Sequence, residues 1–311
     1  MTHRCSPRWT AAIFFLLATF GAARGQENLL RSLPQVQGSY EQRLARIRSG
    51  EPTQVFQGSA SIMPERTFDN IVSVGVAGVP QQQGHFCGGV LIGRHWVLTA
   101  GHCVANSTRA NGRSQVTTVA ATNLQVLAGT SILFRGGVTR AVTRVVLHPE
   151  YRNTAAGIPE NDLALLQVAD ALPGTPMGIA SDELMLIAVR DRERVLIMGW
   201  GTASFSADAP ISSALLLTIV PVVGRERCRE AYGEAVTDKM FCAGVGTTDS
   251  CQGDSGGPAL VYNKQGMPML AGLVSWGAGC TRKNYPGVYV DVTKYRDFIN
   301  GTIGSPPASK P

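Results

Sequence analysis

The 311-residue sequence has no apolar run long enough to cross a bilayer. Its most apolar stretch, Ala11 to Phe20, is uncharged but only ten residues long, about half of the ~20 that a membrane-spanning helix needs. Arg4 and Arg8 precede this run, and the small-x-small triplet Ala23-Arg24-Gly25 follows it. That is the pattern of an export signal cut after residue 25. Residues 1–25 are therefore expected to be a signal peptide. The protein is expected to be secreted (extracellular or periplasmic), with no membrane contact once the signal is gone. Charge is scarce too, at 16% of the chain, with a formal net charge of +6. The first 46 residues hold six Arg and two Glu, so four of those charges lie there and two remain for the rest. A surface so close to neutral argues against a nucleic-acid partner and is compatible with a monomer. No Asp or Glu occurs between Ala128 and His148. Calcium needs several hard oxygen ligands, usually carboxylates among them, so this loop is expected to hold none. No metal and no cofactor is expected elsewhere, and no internal repeat is visible.

What the sequence does contain is a series of short β-branched runs. Ile71 to Val76, Gly88 to Leu98, Leu124 to Leu127 and Val142 to Leu147 are followed by Leu196-Ile197, Ala214 to Pro221, Ala259 to Tyr262 and Leu270 to Ser275. Gly, Asn and Pro stand between them. Many short strands with such punctuation predict an all-β barrel architecture and not βαβ units. Near the end, Tyr295, Phe298 and Ile299 are spaced for one face of a helix over Thr293 to Asn300. Residues 303–311 are expected to form a disordered, Pro-rich tail. Of seven cysteines, Cys5 leaves with the signal. Six in an exported chain predict a disulfide framework, and six allow fifteen pairings.

Chemistry concentrates in Asp249-Ser250-Cys251-Gln252-Gly253-Asp254-Ser255-Gly256-Gly257-Pro258. A serine hydroxyl is a poor nucleophile at neutral pH and needs an adjacent base. It also needs backbone N–H donors aimed at the oxyanion formed by its attack. Glycines on either side of Ser255 permit the turn that points N–H groups into one cavity. Upstream, Leu98-Thr99-Ala100-Gly101-His102-Cys103 supplies a histidine, and Asn161-Asp162-Leu163-Ala164-Leu165-Leu166 an acid opening an apolar strand.

In the order His, Asp, Ser, these contexts resemble the trypsin/chymotrypsin family of serine endopeptidases, peptidase family S1. The resemblance runs from about Ile71 to Ile299. It includes His85-Phe86-Cys87-Gly88-Gly89, Met198-Gly199-Trp200-Gly201, Ser275-Trp276-Gly277 and Tyr285-Pro286-Gly287-Val288-Tyr289. It implies two antiparallel six-stranded β-barrels with a C-terminal helix and the active site between them. His102, Asp162 and Ser255 would be catalytic, and the backbone N–H groups of Gly253 and Ser255 would form the oxyanion hole. Asp249 would floor the primary substrate pocket, with Ser275, Gly277 and Gly287 along it. A carboxylate there pairs with Arg or Lys of a protein or peptide substrate; protein inhibitors are further expected partners. The implied disulfides are Cys87–Cys103, Cys228–Cys242 and Cys251–Cys280. Val195 and Val261 stand where many vertebrate members carry another, and are read as its apolar substitute. Gly101 replaces the common Ala before His102 and is expected to be tolerated.

Family members are made as zymogens whose new N-terminus pairs with the acid before the serine, here Asp254. The usual Arg-Ile-Val-Gly-Gly is missing. Arg46–Ile47 is the expected activation bond, giving a propeptide over 26–46 (or as far as 54) and a peptidase domain over 47–302. An alternative from another class is a catalytically silent relative used as a binding module. Such relatives typically lose a triad residue, and all three stand here in matching contexts.

Overall fold

A computed structural model of the chain describes residues 68–110, 113–202, 211–244, 253–278 and 284–304. The expected all-β class is what the chain adopts. Six strands close the first barrel in the order β1-β2-β3-β10-β7-β6. They are β1 (Ile71–Val76), β2 (His85–Gly93), β3 (Trp96–Thr99), β6 (Leu124–Ala128), β7 (Val138–Leu147) and β10 (Ala164–Val168). Between them lie two small hairpins, β4 (Ala105–Ala110) with β5 (Arg113–Thr118), and β8 (Arg152–Asn153) with β9 (Pro159–Glu160). The second barrel closes as β11-β12-β13-β16-β15-β14. Its strands are β11 (Arg194–Gly199), β12 (Leu216–Val223), β13 (Met240–Ala243), β14 (Pro258–Tyr262), β15 (Pro268–Trp276) and β16 (Gly287–Asp291). Every pairing within both barrels is antiparallel.

The two-residue period of a strand decides which core each side chain enters. Along β10, Ala164, Leu166 and Val168 fill the first barrel, while Leu165 and the preceding Leu163 face the other way. Along β11, Val195 and Ile197 fill the second barrel, while Leu196 and Met198 turn outward. These outward sets meet each other in one shared core, with Ile71, Val90 and Leu98 from the first barrel and Leu260, Leu273 and Val290 from the second.

Among the described residues helices are few: a single turn α1 (Gln81–Gly84), α2 (Asp182–Ala188), α3 (Arg225–Tyr232) and the C-terminal α4 (Arg296–Ile303). The expected C-terminal helix is entered through a 3₁₀ turn, Val292–Tyr295, and ends three residues later than its apolar spacing indicates. Ile299 of α4 is 1% exposed and sits in the shared core. The run Gly88 to Leu98 is two strands and not one, because the chain reverses at Arg94-His95.

Candidate active site

His102 and Asp162 belong to the first barrel. His102 lies in a 3₁₀ turn, Gly101–Cys103, directly after β3, and Asp162 lies just before β10. Since β3 and β10 are paired, with Thr99 opposite Ala164, the two side chains leave the same end of neighbouring strands. Asp162 Oδ1 accepts the backbone N–H of His102 at 2.7 Å, and Oδ2 lies 2.8 Å from His102 Nδ1. A carboxylate only accepts, so Nδ1 carries a proton and Nε2 is left as the base. Nε2 is buried and has no hydrogen-bond partner among the described residues.

Asp162 is 1% exposed. Burial alone would push its carboxyl up. The imidazole of His102 and the hydrogen bonds from His102 and Ser275 outweigh that and hold it below the usual carboxylate range. The Ser275 donor comes from the second barrel, on β15, at 2.5 Å from Oδ2. The family resemblance implies a place for Ser275 along the pocket; in the structure its hydroxyl is the third donor on this acid. Asn161, just before, adopts φ +49°, a left-handed conformation that Asn tolerates better than most residues. Its side chain donates to Glu150 O at 2.9 Å and accepts from Lys239 Nζ at 2.9 Å and Tyr295 Oη at 3.3 Å. Asn161 thereby fixes the turn that aims Asp162, a role the sequence does not announce.

Ser255 comes from the second barrel, on the loop entering β14. Its carbonyl accepts the N–H of Gly88 on β2 at 2.7 Å. Cys103 Sγ lies 3.8 Å from the same oxygen, so the residue after His102 touches the serine. Gly256 N–H bonds to Val274 O at 2.8 Å and Gly257 N–H to Asp254 O at 2.8 Å. Gly253 and Gly256 take φ +92° and +76°, conformations that only glycine adopts at little cost. Around Gly256 there is no room for a side chain either, since a Cβ would lie 2.3 Å from Thr99 Oγ1.

The Asp254 carboxylate lies against Gly199 and Gly201, where Oδ1 accepts Gly201 N–H at 2.9 Å. Gly277 and Gly287 face each other closely enough that a Cβ on Gly277 would lie 3.7 Å from Gly287 Cα. The disulfides Cys87–Cys103 and Cys228–Cys242 are formed. Cys251, Cys280, Asp249, Arg46 and Ile47 lie outside the described residues. Cys87, His102 and Cys103 are the one group with ligand atoms close enough for a metal among the described residues. Both sulfurs are spent in a disulfide, so neither can offer a thiolate.

A buried serine, an imidazole tied to a carboxylate and a glycine turn, held between two antiparallel barrels, define a serine hydrolase of the chymotrypsin-like fold. Comparison with known proteins is in accord. The family model Trypsin matches residues 65–299. Trypsin Blo t 3 of Blomia tropicalis is 34% identical over 232 residues, covering 71% of this chain and 78% of the relative. Trypsin 5G1 of Aedes aegypti is 36% identical over 228 residues, covering 71% and 76%. Serine protease 1 of Homo sapiens is 36% identical over 224 residues, covering 71% and 81%. The chain belongs to the trypsin family and is a serine endopeptidase acting on protein or peptide substrates.

Proposed function

We propose that the protein is a secreted, trypsin-like endopeptidase that cleaves after Arg and Lys through Ser255, His102 and Asp162, and that it is made as a zymogen. The observation that carries this reading is the pair of hydrogen bonds from His102 to Asp162, at 2.7 and 2.8 Å, with Nε2 left without a partner among the described residues. Ser255 Oγ attacks the scissile carbonyl carbon and its proton passes to His102 Nε2. Asp162 stabilises the imidazolium without itself being protonated. The N–H groups of Gly253 and Ser255 receive the oxyanion. As the intermediate collapses, the C–N bond breaks and the leaving amine takes the proton from His102. Water then repeats the cycle on the acyl-enzyme and frees Ser255.

Specificity is assigned to Asp249, six residues before Ser255, where a carboxylate would pair with a guanidinium or ammonium at the bottom of a cleft walled by Gly277 and Gly287. Activation is assigned to cleavage at Arg46–Ile47. Its new ammonium would pair with Asp254, the acid before Ser255. The two disulfides support folding in an oxidising, extracytoplasmic compartment.

The test is hydrolysis of Arg, Lys, Phe and Ala peptide amides before and after trace trypsin, with N-terminal sequencing of each form. Turnover of Arg and Lys amides is expected to rise together with an N-terminus at Ile47. Ser255→Ala should abolish it, and Asp249→Ser should remove the Arg and Lys preference while acylation by small reagents survives. A folded protein with no turnover in any form would establish instead a silent relative that binds.

A further inference from the structure

Behind the Ser255 loop runs a line of hydrogen bonds that the reaction scheme does not use. His85 Nε2 lies 3.0 Å from Gly253 O, and its Nδ1 lies 2.6 Å from Ser73 Oγ. Gln81 Nε2 lies 2.6 Å from the same Ser73 Oγ and 3.2 Å from Ser73 O. Gln125 Nε2 reaches Gln81 Oε1 at 3.1 Å and Val79 O at 2.7 Å, and Gln125 Oε1 accepts Gly78 N–H at 3.2 Å. Ser73, Gln81 and His85 are all buried.

Backbone groups settle the direction of the bonds at Gln125, at the Gln81 amide and at His85 Nε2. A carbonyl only accepts and a peptide N–H only donates. Val79 O and Gly78 N–H therefore orient the Gln125 amide, and Ser73 O orients that of Gln81. The Gln81 amide nitrogen has no lone pair to offer, so Ser73 Oγ accepts from it. In the arrangement proposed below, the single Ser73 hydroxyl hydrogen goes to His85 Nδ1. That makes His85 a neutral imidazole with its proton on Nε2, donated to Gly253 O. The line carries donors one way, from Gly78 on the surface to the carbonyl of Gly253.

We propose that Gln81 is a positioning residue for the oxyanion hole, acting through Ser73 and His85 on the Gly253 carbonyl. The proposal rests on the role given above to the Gly253 N–H. That N–H and the clamped C=O flank one Cα, so fixing one peptide plane limits how far the other can swing. A buried polar network with its bonds made is rigid, whereas a partly made one is not. The site is built for this side chain: Gly75 leaves it space, since a Cβ there would lie 2.6 Å from Gln81 Nε2. Around His85, the Trp200 ring packs edge-on at 5.8 Å.

The test uses the activated full chain. Gln81→Leu keeps the bulk and removes all three side-chain bonds; kcat is expected to fall about tenfold at unchanged KM, part of the ~10²–10³ that loss of one oxyanion donor costs. Gln81→Glu only accepts, so it takes the Ser73 hydrogen and leaves His85 Nδ1 to donate in turn. His85 becomes doubly protonated. Imidazole ¹⁵N NMR at pH 7 should show a neutral Nε2–H ring in the wild type and an imidazolium in Gln81→Glu. Wild-type kcat in a folded Gln81→Leu, or a wild-type His85 protonated on Nδ1, overturns the proposal. The same NMR is run in Ser255→Ala, which cannot turn over. The network is thus judged separately from the assignment of Ser255.

Discussion

A carboxylate removed from water is costly unless donors surround it, and Asp162 has three: His102 N, His102 Nδ1 and Ser275 Oγ. They hold its acidity stronger in the folded chain than the ordinary value of 3.8. The folded state therefore gives up this proton more readily than the unfolded chain does. The resulting stabilisation is complete above about pH 5 and is lost as pH falls through 3.8 toward the lower folded value. Asp162→Asn, which keeps the shape and cannot titrate, is expected to lose less stability than the wild type between pH 5 and 2. Denaturant midpoints across that range measure the difference; parallel curves would remove Asp162 from the acid lability. His102, Asp162 and Ser255 were legible because each sits in a run of characteristic neighbours. Asn161 and Gln81 were not, because their partners are 11, 78 and 134 residues away for Asn161 and include a second glutamine 44 residues away for Gln81. Gly101 has a local reason that the sequence also hides: the Tyr151 ring fills the space, and a Cβ there would lie 2.7 Å from its Cδ2.

Strands were legible where a β-branched or apolar run stands between turn residues. β1 has the bounds its β-branched run gives, Ile71–Val76, and β14 differs by one residue. β13 is four buried residues, Met240–Ala243, too short and too uniformly buried for an alternation to show. β4 and β5 pair with each other outside both barrels, so their polar sequences, ANSTRA and RSQVTT, carry no core-facing stripe. The reading of Val195 and Val261 as a substituted disulfide fits the register. β11 and β14 pair Leu196 with Leu260 and Ile197 with Ala259, so the valines flank the next rung, and both are buried in the second barrel's core. Cα atoms of directly opposed antiparallel residues are ~4.5–5.5 Å apart, within disulfide range. Val195→Cys with Val261→Cys is expected to oxidise and to raise stability by about 4 kcal/mol in the chain-entropy model for so long a loop. Mass spectrometry without reductant and urea midpoints check it. Free thiols in the folded double variant would show that the valines do not face each other.

At the scale of the molecule, the site belongs to neither barrel. His102 and Asp162 come from the first and Ser255 and Ser275 from the second, so catalytic geometry depends on how the barrels meet. The shared core fixes that meeting, with large side chains from both barrels and α4 in one continuous cluster. Ile299 anchors α4 there, although the helix follows the last strand of the second barrel. Removing it should therefore destabilise both barrels and not the second alone. Ile299→Ala is expected to cost about 2–5 kcal/mol, as for other buried large-to-small changes. Trp96 is carried by β3 of the first barrel, with its side chain in the shared core, and Trp276 by β15 of the second. Followed in proteins that retain one or the other, their unfolding transitions should coincide and shift together in the variant. A Trp96 transition left in place while that of Trp276 moves would show barrels that unfold independently. The Ser275 bond to Asp162 would then break before the first barrel did, and activity would be lost ahead of the Trp96 signal.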